Sequence, residues 1–282
     1  MALILTVLVL SILVILGFAL SYGAGVSAGA ARNARAAFVS AAAADAALAY
    51  AAALLAEDRA SGSQDDLGEG WAREDLTVTV GGEHMALRIT DENRKLNVNR
   101  AALPPAQAKD PDLRPALKRL VVNVGGSALD YERLCRWIAP GGGGGTGRPL
   151  AAIAALACVP DLDKALLTGK NEKPPLSAVL TTVSARVNVN TAEKEVLDAL
   201  WDDALLTGNI LGARRQAPFR DEAQVEAFVA RARGETAGEA RTALPAGVSS
   251  DWFRVEVRPV GGRGGLRALV RRDEGGIRTQ SV

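Results

Sequence analysis

Histidine is nearly missing from this chain: His84 stands alone in 282 residues. A single imidazole excludes a histidine-rich metal cage, and no Ser/His/Asp or Cys/His set recruits it for nucleophilic catalysis. It falls in an expected hairpin turn, where a lone histidine is ordinarily just solvated. Cysteine is almost as scarce. Cys135 and Cys158 do not make a disulfide-dense scaffold, and their spacing is neither C-x-x-C nor that of a zinc site. A charge excess is absent too, since 33 Lys and Arg face 32 Asp and Glu. A protein whose main business is coating nucleic acid would show a large basic surplus. What remains is a chain long enough for one or two domains with a sizeable core, and no constellation that supports an enzyme.

Charge is also missing from residues 1 to 20, MALILTVLVLSILVILGFAL. As a helix that stretch spans about 30 Å, the thickness of a bilayer's hydrocarbon core. A cleaved secretory signal is the alternative, and "SAGA" at 27 to 30 imitates a cleavage site. Against it, no basic n-region is present, and an h-region normally runs only about 7 to 15 residues. The reading is a retained transmembrane helix over 1–22. From Ala24 to Ala56 alanine dominates and proline is absent, so the helix is expected to run on into water over 23–58. Leu48, Ala52 and Leu55, with Ala51 beside them, are the expected packing face. The whole helix would be about 55 residues, roughly 80 Å, broken by "RASGSQDDLGEG" at 59 to 70. A simple anchor would use a flexible linker instead.

Beyond the helix, "LTVTV" (76–80) and "MALRIT" (85–90) alternate as half-buried strands do, and "LNVN" (96–99) alternates again, reading as a third strand of a meander. Strand signals then stop. "LRPALKRLV", "SALDYERLCRWI", "RPLAAIAALACV", "TAEKEVLDALW" and "RDEAQVEAFVARA" read as helices, with Ser127 and Asp130 close to a capping box and Pro149 placed for a first turn. Strands return at "WFRVEVRPV" (252–260) and "LRALVRR" (266–272). The predicted fold class is α+β: a long N-terminal helix on an antiparallel sheet, with sheet parts at 59–100 and 247–282 and a large all-α domain inserted at 101–246.

Several stretches invite chemistry. Gly142 to Gly147 match a phosphate loop's spacing, but Arg148 and Pro149 stand where Lys and Ser or Thr are needed, and a helix precedes it instead of a strand. The flexible-loop reading wins. The pairs Asp161/Asp163 and Asp202/Asp203 are weak candidates for calcium, lacking the length and glycine of an EF-hand loop. Cys135 and Cys158 lie on successive predicted helices, and both a disulfide and two small buried thiols fit. "VNVNTAEKEVLDAL" resembles the opening of helix-hairpin-helix DNA-binding modules, and "APFRDEAQVEAF" (217–228) their ending. The hairpin between lacks closely spaced glycines, however, and Asp202 and Asp203 would repel a phosphate. Residues 186–246 hold eight basic and ten acidic residues, a net −2, so no nucleic-acid partner is expected. Asn190 or Thr191 is the expected cap of the helix carrying Trp201.

The uncharged start, the Ala-rich continuation, "TDENRKLNVNRA", "RVNVNTAEKEVLDALW" and the closing "FRVEVRPV…LRALVRR" resemble, in that order, the minor pseudopilin K of the type II secretion system (general secretion pathway protein K). The resemblance covers nearly the whole chain. It implies a pseudopilin fold with an inserted helix-hairpin-helix or SAM-like α-domain. It implies a non-enzymatic subunit at the tip of a periplasmic pseudopilus, assisting protein export across the outer membrane. Its implied partners are minor pseudopilins I and J, other pseudopilins and the inner-membrane secretion platform. Prepilin peptidase would cut before the apolar stretch and methylate the new N-terminus, here Met1. The implied location is the bacterial inner membrane, single pass, with the soluble part periplasmic. Leu3, Leu5 and Val9 would pack in the helical bundle, and Leu5 stands where most pilins carry a glutamate, as in a cap subunit. No basic leader ending in glycine precedes the apolar stretch, so the sequence is expected to begin where the mature protein would. Such a leader would also reconcile Arg32 and Arg35 with the positive-inside rule. The glycine-rich loop is shorter than the acidic loop of familiar K subunits, which weakens any family calcium site. Two other readings stay open: a membrane-anchored helix-hairpin-helix DNA-binding protein of the competence type, and a type IV pilus minor pilin.

Overall fold

The computed structural model describes residues 1–104, 111–139, 149–234, 246–262, 264–273 and 276–281. The Gly142–Gly147 stretch and Arg148 lie outside the described residues.

Helix α1 (Ala2–Ser61) runs unbroken for 60 residues, about 90 Å at 1.5 Å per residue. No proline interrupts it, and it stops where Gly62 turns extended while its N–H still bonds Asp58 O at 3.0 Å. Its C-terminal third packs on a five-stranded antiparallel sheet. In spatial order the strands are β1 (Thr77–Val80), β2 (Glu83–Asp91), β7 (Trp252–Pro259), β8 (Leu266–Asp273) and β9 (Gly276–Ser281). β1 and β2 are joined by Gly81 and Gly82, both at positive φ, the two-residue turn that only glycine enters freely. His84 therefore lies in β2, where Nδ1 meets Thr79 Oγ1 at 2.9 Å, and not in the turn.

The inner face of the sheet presents Met85, Leu87, Ile89, Phe253, Val255, Val257 and Val270, all buried against Ala43, Ala44, Ala47, Ala51 and Leu55 of α1. The helix face is thus centred on 47, 51 and 55, while Leu48 and Ala52 are half-buried at its edge. The reason is steric. Alanine at 47 and 51 lets the helix backbone come close to the pleated surface there, where a leucine would hold it off, while Leu55 is buried one turn further on. Ala47 and Ala51 have no exposed surface. Ala47→Leu is therefore expected to destabilise the helix–sheet contact by about 1–3 kcal/mol through overpacking, measured as a lower urea midpoint.

β2 and β7 are neighbours in the sheet, with Asp91 opposite Phe253, yet 161 residues separate these two partners in sequence. The helical region is inserted in this connection. It contains α2 (Val98–Ala101), α3 (Arg114–Asn123), α4 (Ala128–Ile138), a 3-10 segment (Ile153–Cys158), α5 (Ala165–Thr168), α6 (Leu176–Val179), α7 (Lys194–Trp201), α8 (Ala204–Gln216) and α9 (Glu222–Arg233). Ser127 and Asp130 close the capping box of α4. The stretch expected as a helix after Pro149 gives only the 3-10 segment Ile153–Cys158. "LNVN" also departs from its alternation. Only Leu96–Asn97 (β3) is strand, and it pairs in parallel with Leu180–Thr181 (β4) inside the insert, not with the meander. Asn97 Oδ1 accepts the N–H groups of Asn99 and Arg100, so the chain turns into α2 at once.

The insert repeats one plan twice. β3 ends in Asn97, and β5 (Val187–Asn188) ends in Asn188, which pairs in parallel with Ala246–Gly247 (β6). In each, the first asparagine's Oδ1 accepts the N–H of the second, at 2.9 Å in both cases. The second asparagine then clamps both backbone groups of a residue that follows a proline. Asn99 binds Leu150 N and O at 2.7 and 2.9 Å, and Asn190 binds Phe219 N and O at 2.9 Å each. A primary amide matches a peptide group in donor and acceptor, which is why asparagine suits this place. The valines between them, Val98 and Val189, are wholly buried, and helices α3 and α7 of the two halves pack together. Neither Asn190 nor Thr191 caps α7; its N-cap is Glu193, without a side-chain bond.

Candidate assembly surface and interdomain joint

The N-terminal half of α1 packs against no other element among the described residues. Leu3, Leu5 and Val9 are 78%, 63% and 49% exposed, and no residue of the most apolar stretch is buried. The chain is uncharged up to Arg32. Thr6 and Ser11 hydroxyls donate to Leu3 O and Val7 O at 2.8 Å, so even the polar side chains are satisfied within the helix. Such a surface far exceeds the few hundred Å² of apolar patch that a soluble monomer exposes. It is one helix long and apolar enough to cross a bilayer, as a single-pass anchor or a signal would be. Met1 stands at its exposed N-cap with no side-chain cap bond.

At the other end of the sheet, α1, the strands and the insert meet in a buried polar joint. Asp91, the last residue of β2, is fully buried. Its Oδ2 accepts from Thr191 Oγ1 (2.5 Å) and Ser250 Oγ (2.7 Å), with Asn188 Nδ2 at 3.3 Å, and its Oδ1 accepts from Asn93 N (2.6 Å). Asn188 also donates to Ser250 Oγ (2.8 Å) and Asp65 O (3.0 Å). Asn93 Oδ1 receives the N–H groups of Asp251 and Trp252 at 3.2 and 3.1 Å. Beside this stands Arg272, on the inner face of β8. Its guanidinium pairs with Asp65 and with Asp58 (2.8 Å), donates to Leu55 O and Ser250 O at 3.1 Å each, and covers the Phe253 ring at 4.7 Å. Asp65 in turn accepts Ser250 N at 2.7 Å. A third carboxylate, Glu69, takes Trp71 Nε1 at 2.5 Å and Asp66 N at 3.2 Å.

Burial raises three of these carboxyls. It pushes Asp91 up to about 6 and Glu69 up to about 7, and it outweighs Arg272 in raising Asp65. Each holds its proton more tightly folded than unfolded, where the ordinary value is about 4. The folded chain therefore binds more protons between about pH 4 and 7, and stability falls as pH rises through that window. Asp112 and Asp163 act oppositely. Hydrogen bonds from Arg114 and Lys170 hold them low, and that support is lost below about pH 4. Thermal unfolding in mild detergent is thus expected to peak between about pH 4 and 6. Glu69→Gln should flatten the decline toward pH 7. A midpoint that rises steadily from pH 5 to 8 would contradict this.

The residues singled out from sequence scatter. Asp161 lies exposed at positive φ, and Asp163 is bonded to Lys170 at 2.8 Å. Asp202 is the left-handed C-cap of α7, 3.5 Å from Arg119, and Asp203 caps α8 by accepting Leu206 N at 2.9 Å. The two pairs do not come together. Among the described residues, three potential ligands converge only at Asp58, Asp65 and Glu69, where Arg272 already supplies the positive charge. Cys135 is half-buried on α4, Cys158 is exposed, and both are free thiols. Arg214 donates to Val189 O and Ala192 O at 2.7 Å each, so it serves the second NVN turn rather than an outside anion.

The joint's charged members escaped sequence reasoning, although one signal was present. Alternation puts Arg272 on the same face as Ala268 and Val270, and an inward arginine demands a carboxylate.

No protein-family model matches the chain, and no curated protein matches it in sequence. Among solved structures, the chain is similar to one from the crystal structure of the GspK–GspI–GspJ complex of the enterotoxigenic Escherichia coli type 2 secretion system. The TM-score is 0.62 at 18% identity, over 84% of this chain and 94% of that one. At that identity the likeness is one of fold: a long apolar helix on an antiparallel sheet with a helical region set between strands.

Proposed function

We propose that the chain is a pseudopilin of a type II secretion system, and specifically the K-type minor pseudopilin at the pseudopilus tip. The observation that carries the reading is the unpartnered half of α1, rigidly continuous with a sheet that bears a large α-insert. A rigid 60-residue helix transmits position from membrane to tip, which a flexible tether would not. Leu3, Leu5 and Val9 pack against neighbouring helices in the bundle. Without a carboxylate at position 5, the helix has no partner for a neighbour's N-terminal amine, and it also avoids the cost of an unpaired charge in lipid. Its partners on this reading are minor pseudopilins I and J, with prepilin peptidase acting at Met1. The likeness to a chain of the GspK–GspI–GspJ complex supports this. The role is structural, not enzymatic.

Deleting the gene in its own bacterium tests the reading. The expected result is that secreted proteins accumulate in the periplasm and that the intact gene restores export. Normal export with lost DNA uptake would replace it with the competence-type reading. Normal export with lost pili would replace it with a type IV pilus role.

A further inference from the structure

The sheet has a second face, turned away from α1, and it is built of arginine. Strand alternation and register send Arg88, Arg254, Arg258, Arg267, Arg271 and Arg278 to that side. Two strand carboxylates share it, Glu256 and Asp273, and no lysine does among the described residues. Two of the arginines are already matched from adjoining loops, Arg254 by buried Glu92 at 2.8 Å and Arg88 by Glu74 at 3.8 Å. Arg258, Arg267, Arg271 and Arg278 then stand against Glu256 and Asp273, which leaves this one face two charges positive, while the whole chain carries +1.

The arrangement costs the sheet something. Arg271 and Arg278 sit directly opposite one another on β8 and β9, and like charges in that position destabilise a strand pair. Glu256 is shared by Arg258 (3.1 Å) and Arg267 (3.2 Å) and has Arg88 opposite it as well. Arg271 reaches Asp273 at 3.1 Å and lies 5.6 Å over the Trp252 ring. Arg278 has no ion-pair partner among the described residues. The inner face already holds the sheet to α1, so fold stability does not require this surplus, and a locally unfavourable choice of this kind points to function.

We propose that this face docks a protein surface rich in Asp and Glu. Guanidinium forks take carboxylates in two-point hydrogen bonds. Half-buried Trp252 and Leu269 supply the apolar ground between them, and Trp and Arg are the residue types that dominate interface energies. A lipid surface fits less well. Ala37 and Ala44 of α1 lie by Pro259 and Leu266, and Leu55 lies by Arg272, so β8 runs along the helix away from its free apolar end. The arginine face therefore stands along the helix instead of meeting the plane of headgroups. Nucleic acid also fits less well, because Glu256 and Asp273 interrupt the face, while a phosphate backbone carries a charge every ~3.4 Å per strand. The proposal does not depend on the pseudopilin reading.

The test uses the full chain in nonionic detergent, with a fluorescent poly-glutamate peptide, duplex DNA of matched charge and anionic phosphatidylglycerol vesicles as probes. Poly-glutamate should bind most tightly. Replacing Arg258, Arg267, Arg271 and Arg278 by Gln should weaken it about tenfold or more, as four ion pairs would. Replacing exposed Lys118, Arg136, Arg220 and Arg231 by Gln removes equal charge elsewhere and should leave binding within about twofold. Equal loss in both variants, no loss in the first, or tighter binding of DNA or vesicles would overturn the proposal. Arg278→Gln alone should unfold at the same or higher temperature than the parent. A lower midpoint would make Arg278 structural and remove the argument.

Discussion

Arg272→Ala should lower the unfolding free energy by about 3–5 kcal/mol, the usual cost of breaking a buried ion pair from one side. Arg272 is 3% exposed and Asp65 is not exposed at all, so water cannot take the place of the lost guanidinium. Truncation would leave Asp65 and Asp58 facing each other and remove the guanidinium bonds to the carbonyls of Leu55 and Ser250. It would also remove the cation over Phe253, in a packed part of the core. The cost comes from the charges left behind, and this can be shown directly. Arg272→Met combined with Asp65→Asn and Asp58→Asn should be markedly more stable than Arg272→Ala, because no buried charge is orphaned. Urea unfolding of the parent, the single variant and the triple variant in the same detergent decides it. If the triple variant is no better than the single one, the loss is one of packing. A pH signature accompanies it: Arg272→Ala should gain stability on acidification from pH 7 to 5, as the unpaired Asp65 takes up a proton.

Asp91→Ala is expected to cost about 3 kcal/mol or more, since several buried donors lose their acceptor together and each stranded donor costs about 1–3 kcal/mol. Thr191 Oγ1, Ser250 Oγ, Asn93 N and Asn188 Nδ2 all converge on this carboxylate. These donors come from the insert's second half and from the turns on either side of the sheet, so the variant should also loosen the insert on the sheet. Hydrogen exchange reads this separately from global stability. Amides around Asn188–Thr191 and Ser250 should lose protection, while those of β7 and β8 retain it. A double-mutant cycle of Asp91→Ala with Thr191→Val should show strong coupling, because the two side chains share one bond. Uniform loss of protection would mean that insert and sheet unfold as one unit.

Much of the architecture was legible along the chain. The first helix follows from missing charge, missing proline and abundant alanine, and its observed end at Ser61 lies within the stretch expected to break it. Strands β1, β2, β7 and β8 follow from period-two alternation, because one face must meet an apolar surface and the other water. The capping box at Ser127 followed from two residues three apart. The errors are also instructive. "LNVN" alternates like a strand, but its asparagines bond their own backbone and bend it, so a side-chain effect beat the pattern. β9 went unread because Gly276–Ser281 carries almost no apolar signal and is held mainly by its ladder with β8.

The sequence by itself determined a long apolar helix, an alternating sheet and a helical insert, because each rests on residues three, four or two positions apart. It also showed NVN twice, without showing what either copy holds. The tertiary structure alone decided that. Asn190 meets Phe219 across 29 residues, Asn99 meets Leu150 across 51, and Arg272 meets Asp65 across 207. Periodicity reports only which side of an element faces inward. A buried polar group takes whichever partner the whole fold carries to it, so its identity is a property of topology and not of local spacing.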